Sequence, residues 1–164
     1  MSTDIKDRVA VERRLWDEIE RHQTGMLGLV GDTHHFQPMT AFIQRGSKQI
    51  WFFTRTDTDL VHQIGGAHQA MFVIQQKDMQ ACVGGELVID PDRARIDKFW
   101  NPVVAAWHPE GKTDPRLALL RMDCDDAAVW ISQGNPIRFA WEIAKANTTK
   151  TEPNVGGRTT LDLH

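Results

Sequence analysis

The sequence predicts a mainly β protein, a β-barrel with peripheral helices. Three observations predict it: about six or seven short apolar runs bounded by turn residues, few helical patterns, and strands that follow strands directly. A doubly wound sheet would instead alternate each strand with a long helix. At 164 residues, with 41% hydrophobic and 25% charged residues, the chain is long enough for a single domain with a real core.

Ile5, Val9, Leu15, Trp16 and Ile19 recur near helical spacing among charged residues, so residues 4–22 form an amphipathic helix covering one end of the sheet. Residues 24–30 are apolar with two glycines and no charge, a buried strand closed by the turn Gly31-Asp32. Residues 37–43 and 49–54 are rich in β-branched and aromatic side chains and flank Arg45-Gly46-Ser47-Lys48, so they read as an antiparallel hairpin. Residues 57–64 follow as a short capped helix.

Gly65-Gly66 interrupts the chain before a strand at 69–76, and a further strand at 80–89 carries Gly84-Gly85, implying a bulge or a close approach. Pro91 suits the first turn of a helix reaching Phe99, with Asp90 as its cap. Residues 100–115 hold three prolines and two tryptophans and read as an ordered loop. Apolar runs at 117–122 and 127–131, separated by Asp123-Cys124-Asp125-Asp126, read as two final strands, and 137–146 as a second amphipathic helix. Residues 147–157, rich in Thr, Asn, Pro and Gly, form a tail, so 147–164 is expected as a C-terminal arm.

A net charge of −3 without a basic run argues against a nucleic-acid partner. No stretch is apolar enough to span a bilayer, and the first residues lack an apolar signal core, so a cytoplasmic protein is expected. Cys82 and Cys124 form no CxxC pair and are expected as buried free thiols. The histidines lack zinc-ligand spacing, no GxSxG elbow surrounds Ser47, and the glycine pairs make no GxGxxG element. No catalytic or metal-ligating residue is therefore assigned.

The informative region is the hairpin and the helix after it. Thr54, Thr56 and Thr58 stand at a strand end and a helix start, where hydroxyls and free amides can bind anionic oxygens, and Trp51-Phe52-Phe53 offers a broad surface for a ring system. An ordinary core hairpin with a capped helix fits the same residues.

Taken in order, Pro38-Met39, Trp51-Phe52-Phe53-Thr54, the Gly84 turn before Asp90, Lys98-Phe99-Trp100-Asn101-Pro102, Ala106-Trp107-His108-Pro109-Glu110-Gly111, Asp114-Pro115, Ala127-Ala128-Val129-Trp130 and the segment at 156–161 resemble the FMN-binding split barrels related to pyridoxamine 5′-phosphate oxidase. Within them they resemble the general stress protein 26 branch. The resemblance implies a homodimer with two equivalent FMN sites at its interface. It implies that Gln37, Pro38, Met39 and Thr40 lie by the ring or ribityl chain, and Phe53, Thr54, Arg55 and Thr58 by the phosphate end. The loop with Trp100 and Trp107 would close the site.

Two positions depart from that pattern: relatives carry Arg before Pro-Met and Lys in the short helix, where this chain has Gln37 and Leu60. Charge-assisted bonds are roughly twice as strong as neutral ones, so FMN binding then depends on a replacement cation. Arg55, Arg45 and a protonated His62 are the candidates. The functional expectation is an FMN-binding general-stress-type protein, with a flavin-dependent oxidoreductase of a small molecule as its activity. The alternatives are a non-enzymatic split-barrel module without flavin, or one binding haem through a histidine.

Overall fold

The computed structural model describes residues 3–132, 136–152 and 156–163, and only the backbone of residues 136–139. Among the described residues are eight strands and five helices.

Helix α1 (Arg8–His22) opens where the Asp7 carboxylate accepts from the Ala10 amide at 3.1 Å, and closes at Gln23 in the left-handed region, φ 61°. Its apolar face buries Val11, Leu15 and Ile19. Strand β1 (Thr24–Leu29) follows at once, then β2 (Gln37–Thr40), β3 (Phe42–Ile43) and β4 (Gln49–Arg55). The expected hairpin is confined to its inner part: Phe42 pairs with Trp51 and Ile43 with Ile50. Residues Gln37 to Thr40 pair instead with β1, Thr24 opposite Thr40 and Leu27 opposite Gln37.

This division of one extended segment closes the sheet. Its order is β2-β1-β5-β6-β7-β4-β3, so the strands at its two ends are separated in sequence by Ala41 alone. The Ala41 amide donates to the Gln23 carbonyl at 2.5 Å. A curled sheet whose ends meet in this way leaves few unpaired edges.

Helix α2 (Asp59–Ile64) is capped by Thr58, whose hydroxyl accepts from the Val61 amide at 3.3 Å. Strands β5 (His68–Gln75) and β6 (Met79–Asp90) form a long antiparallel pair. The expected cap for the next helix, Asp90, is the last residue of β6; helix α3 (Arg93–Phe99) is capped by Asp92, which accepts from the Ala94 amide at 3.0 Å. The stretch expected as loop contains helix α4 (Pro102–Trp107). Pro102 stands at its first turn, where a missing N–H costs nothing, and the Asn101 side chain accepts from the Val104 amide at 2.9 Å.

The two strands expected near the end are one, β7 (Leu117–Ser132). The acidic run at 123–126 does not end it, because the strand absorbs an extra residue there: Gly84 pairs with Asp126 but Gly85 with Cys124. Gly85 is needed at this bulge, since a Cβ would press on the Asp123 carbonyl. Helix α5 (Pro136–Thr149) extends beyond the expected end, and β8 (Gly156–Asp162) pairs with β7 from Asp126 to Ser132. Residues 147–149 thus complete a helix and 156–162 belong to the sheet, with 153–155 outside the described residues.

Successive residues of β4 serve two clusters, as the period of a strand requires. Ile50 and Phe52 join α1 and the barrel interior, whereas Trp51 packs with Phe42, Ile96, Phe99 and Leu119 beneath α3 and α4. Of the aromatic run read as a ligand surface, Trp51 and Phe52 are therefore fully buried core. Phe53 alone, at the end of the run, reaches the site described next.

Candidate functional site

A cavity of about 690 Å³ opens between the β2–β3 segment, the end of β4 and α4. That volume lies within the roughly 300–1,000 Å³ of small-molecule sites. Pro38, Met39, Thr40, Phe53, Thr54, Arg55, Thr58 and Trp107 all line it. The strands that carry these residues meet here because β2 and β4 approach each other where the sheet closes.

Gln37 is placed elsewhere. It lines a second cavity of about 280 Å³ with Asp32, His34, Leu60 and others, and Thr58 belongs to both cavities. The β2 backbone alternates, so Gln37 and Pro38 point to different sides. The two positions that depart from the relatives' Arg and Lys, Gln37 and Leu60, thus share this smaller chamber. In it His34 Nδ1 lies 2.7 Å from Asp32 and its Nε2 3.8 Å from Asp59. The Asp32 contact raises the His34 pKa, and His34 lowers that of Asp32.

Of the three candidate replacement cations, one lines the larger cavity. Arg45 is held by Asp17 and Glu20 of α1, tying the β3–β4 hairpin to that helix. His62 is exposed on α2 and lines neither cavity. Arg55 lines the large one, where its Nε donates to Asp57 Oδ1 at 3.0 Å and its Nη2 to Oδ2 at 2.7 Å.

The Thr54 hydroxyl belongs to a residue 8% exposed and has no hydrogen-bond partner among the described residues. Among the described residues no fully buried side-chain polar atom lacks a partner, so this unpaired hydroxyl is in reach of solvent and, at a residue lining the cavity, is available to a ligand. The Thr58 hydroxyl, by contrast, donates to the Arg55 carbonyl at 2.9 Å while capping α2.

Gln23, Thr24, Phe42, Asn101, Val103, Val104 and His108 also line the cavity, and sequence reasoning did not assign them to it. Gln23 and Thr24 come to it through the left-handed turn joining α1 to β1. Asn101-Pro102, a cap followed by a first-turn proline, was the available signal for α4. Phe53 stands edge-on to Phe42 at 5.5 Å and to Trp100 at 6.0 Å, and His108 lies 6.3 Å from Phe53. Burial lowers the His108 pKa, and the nearby Arg55 charge lowers it further. Trp107, one residue earlier, is 79% exposed at the cavity mouth.

The sequence profile of the family described as "Pyridoxamine 5'-phosphate oxidase like" matches residues 10–154. The chain belongs to that family. Among solved structures, the general stress FMN/FAD binding protein of Xanthomonas citri is 40% identical, with a TM-score of 0.69 over 74% of this chain and 89% of that one. A candidate general stress protein 26 from Jannaschia sp. CCS1 is 32% identical, with a TM-score of 0.77 over 94% and 99% of the two chains. A protein related to general stress protein 26 from Clostridium acetobutylicum is 18% identical, with a TM-score of 0.63, a likeness of fold. No curated protein matches the chain. In this pyridoxamine 5′-phosphate oxidase-like chain, the mostly β, curled half-barrel is the FMN-binding split-barrel fold.

The residues present fit a flavin phosphate in kind. The larger cavity combines aromatic and aliphatic walls with a free hydroxyl at Thr54 and a guanidinium at Arg55. No described helix is long and apolar enough to cross a membrane.

Proposed function

We propose that this general-stress-type member of the family binds FMN in the larger cavity and works as a cytoplasmic homodimer. Its activity is the oxidation or reduction of a small molecule. The observation that carries the reading is the convergence of Phe53, Thr54, Arg55 and Thr58 with Pro38, Met39 and Thr40 on one cavity. The Xanthomonas citri relative, named for FMN/FAD binding, supports it.

In this reading Met39 packs beside the ring system, Trp107 covers it from α4, and Phe53 stands towards the anionic end. The Thr54 hydroxyl and the Arg55 guanidinium bind the anionic end, with Arg55 shared between ligand and Asp57. Val103 and Trp107, 62% and 79% exposed, form an apolar rim that a second copy of the chain covers. The flavin itself supplies hydride and electron transfer when bound, so the chain's task is to orient it and exclude water. A stable monomer in sedimentation at micromolar concentration would contradict the dimer.

Mass and absorbance analysis of ligand released from purified native protein tests the cofactor. FMN in the supernatant is the expected result. A colourless protein releasing nothing, and taking up no FMN when it is supplied, overturns the reading. The second reading, a split-barrel module without flavin, has its own support in the pairing of Arg55 with Asp57 and the lack of a cation at Gln37 and Leu60. Under that reading Gln37→Arg with Leu60→Lys creates FMN binding that the wild type lacks.

A further inference from the structure

Arg55 is shared with the Asp57 carboxylate, so it neutralises a doubly charged ligand in the larger cavity only in part. His108 is the histidine that lines this cavity. Its backbone ends α4, the amide donating to the carbonyls of Val104 at 3.1 Å and Ala105 at 3.2 Å, and its carbonyl accepts from Gly111. These bonds fix the residue at the wall. Its ring lies beside Phe53 and Trp100, at 6.3 and 6.5 Å, and neither ring nitrogen has a hydrogen-bond partner among the described residues. An imidazole beside two aromatic rings, half-buried and unbonded at the cavity wall, is available to bond a ligand.

The geometry points to His108 as a ligand-linked proton acceptor: binding of an anionic flavin in the cavity is coupled to uptake of a proton by this imidazole. The idea rests on the flavin reading of the cavity given above. The charged groups around the ring set the direction. From β4, Arg55 disfavours a second positive charge. On the loop after α4, Asp114 acts the other way, though it is bound to Arg116 at 3.2 Å. Asp57 neutralises part of the Arg55 charge, and Glu110 contributes more weakly through Arg55.

In the free protein, burial and Arg55 together hold the His108 pKa below its ordinary value, so the ring is neutral at pH 7. A phosphate ester bearing about two negative charges reverses the local potential and raises that pKa. Linkage then fixes the sign. Between the free and bound pKa values the complex holds more protons than the separate partners, so affinity falls as pH rises through that window. Above the bound pKa it levels off. The phosphate's own ionisation acts oppositely, strengthening binding as pH rises, so the effect is read against a variant.

The test is titration calorimetry of the full-length protein with FMN in buffers of different ionisation enthalpy, at pH 6 to 8, for wild type, His108→Gln and His108→Phe. The Phe variant keeps the aromatic packing and the Gln variant keeps hydrogen bonding; thermal unfolding checks that each is folded. Wild type should take up a fraction of a proton more than either variant. The ratio of wild-type to variant affinity should rise about threefold to tenfold from pH 8 to pH 6, tenfold per pH unit being the limit for one proton. Riboflavin, which lacks the phosphate, should show no such difference. Tight FMN binding with equal proton uptake in all three proteins overturns the role of His108 and leaves the flavin reading intact. No binding of FMN by any of them overturns both.

Discussion

Arg55 grips Asp57 with one edge of its guanidinium, Nε to Oδ1 at 3.0 Å and Nη2 to Oδ2 at 2.7 Å, while forming part of the cavity wall. The pair lies two residues apart, at the turn from β4 into α2, so the cation nearest the proposed phosphate is in competition from the start. Hydrogen bonding to Arg55 holds the Asp57 carboxyl below its ordinary pKa, so it stays ionised and keeps competing across neutral pH.

Removing the competitor should release the guanidinium. Asp57→Asn is expected to tighten FMN binding about threefold to tenfold, and Arg55→Ala to weaken it by a similar factor, since charge-assisted bonds are stronger than neutral ones but are screened at a wall in contact with water. Fluorescence titration of FMN against each variant measures this. Equal affinities in all three proteins would remove Arg55 from the site.

Trp107 separates binding from stability. It is 79% exposed on α4 within one subunit and lines the cavity mouth, so Trp107→Ala should change the folding stability of the subunit itself, apart from any dimer contact, by no more than about 0.5 kcal/mol. Loss of an aromatic contact of about 0.5–1.5 kcal/mol should weaken flavin binding about two- to tenfold. Denaturant unfolding and FMN titration of the same preparation check both halves.

Asp90 is the opposite case. Only 4% exposed, it accepts from the Trp51 indole at 2.9 Å and lies 3.4 Å from Arg95 and 3.7 Å from Arg121. Arg95 also stacks over the Trp51 ring at 4.6 Å. Asp90→Ala leaves the buried Trp51 indole N–H and the Asp92 amide without their acceptor, while Arg95 and Arg121 keep Asp92 and Asp123, and should destabilise the fold by about 1–3 kcal/mol. Asp90→Asn, which keeps the shape, should cost less. Urea unfolding midpoints compare the two.

The thiols should be slow. Burial pushes the Cys124 thiol up to about 12, and the half-buried Cys82, with its Sγ 3.4 Å from Met71 Sδ, is raised by burial as well. At pH 8 little thiolate is present, so a disulfide reagent should label Cys82 slowly and Cys124 only after unfolding. Mass spectrometry of a labelling time course, native and in urea, reads this directly.

Much of the fold was legible because its signals are local. The period of α1, the turn at Gly46 with φ 84°, and the bulge at Gly84-Gly85 each follow from a few neighbouring residues. What the sequence concealed depends on distant partners. Nothing in Gln37 to Ile43 announces that its first half pairs with β1 and its second with β4. The acidic run at 123–126 looks like a break until the bulge opposite Gly85 is seen to absorb the extra residue. In the site, Phe53, Thr54 and Thr58 were readable from the strand-to-helix transition. His108 and Gln23 were not, because they reach the cavity through helix ends whose orientation no local pattern records.

The most direct measurement is a quenching titration of FMN fluorescence with wild-type protein and with Thr54→Val, which removes the unpartnered hydroxyl and keeps the volume. Wild type should bind with a dissociation constant of roughly micromolar or tighter, about −8 kcal/mol, and the variant about fivefold or more weakly. Absence of quenching by wild type at FMN concentrations up to about 100 μM, where even an affinity of roughly −5.5 kcal/mol would register, would contradict the assignment of this cavity to an anionic flavin.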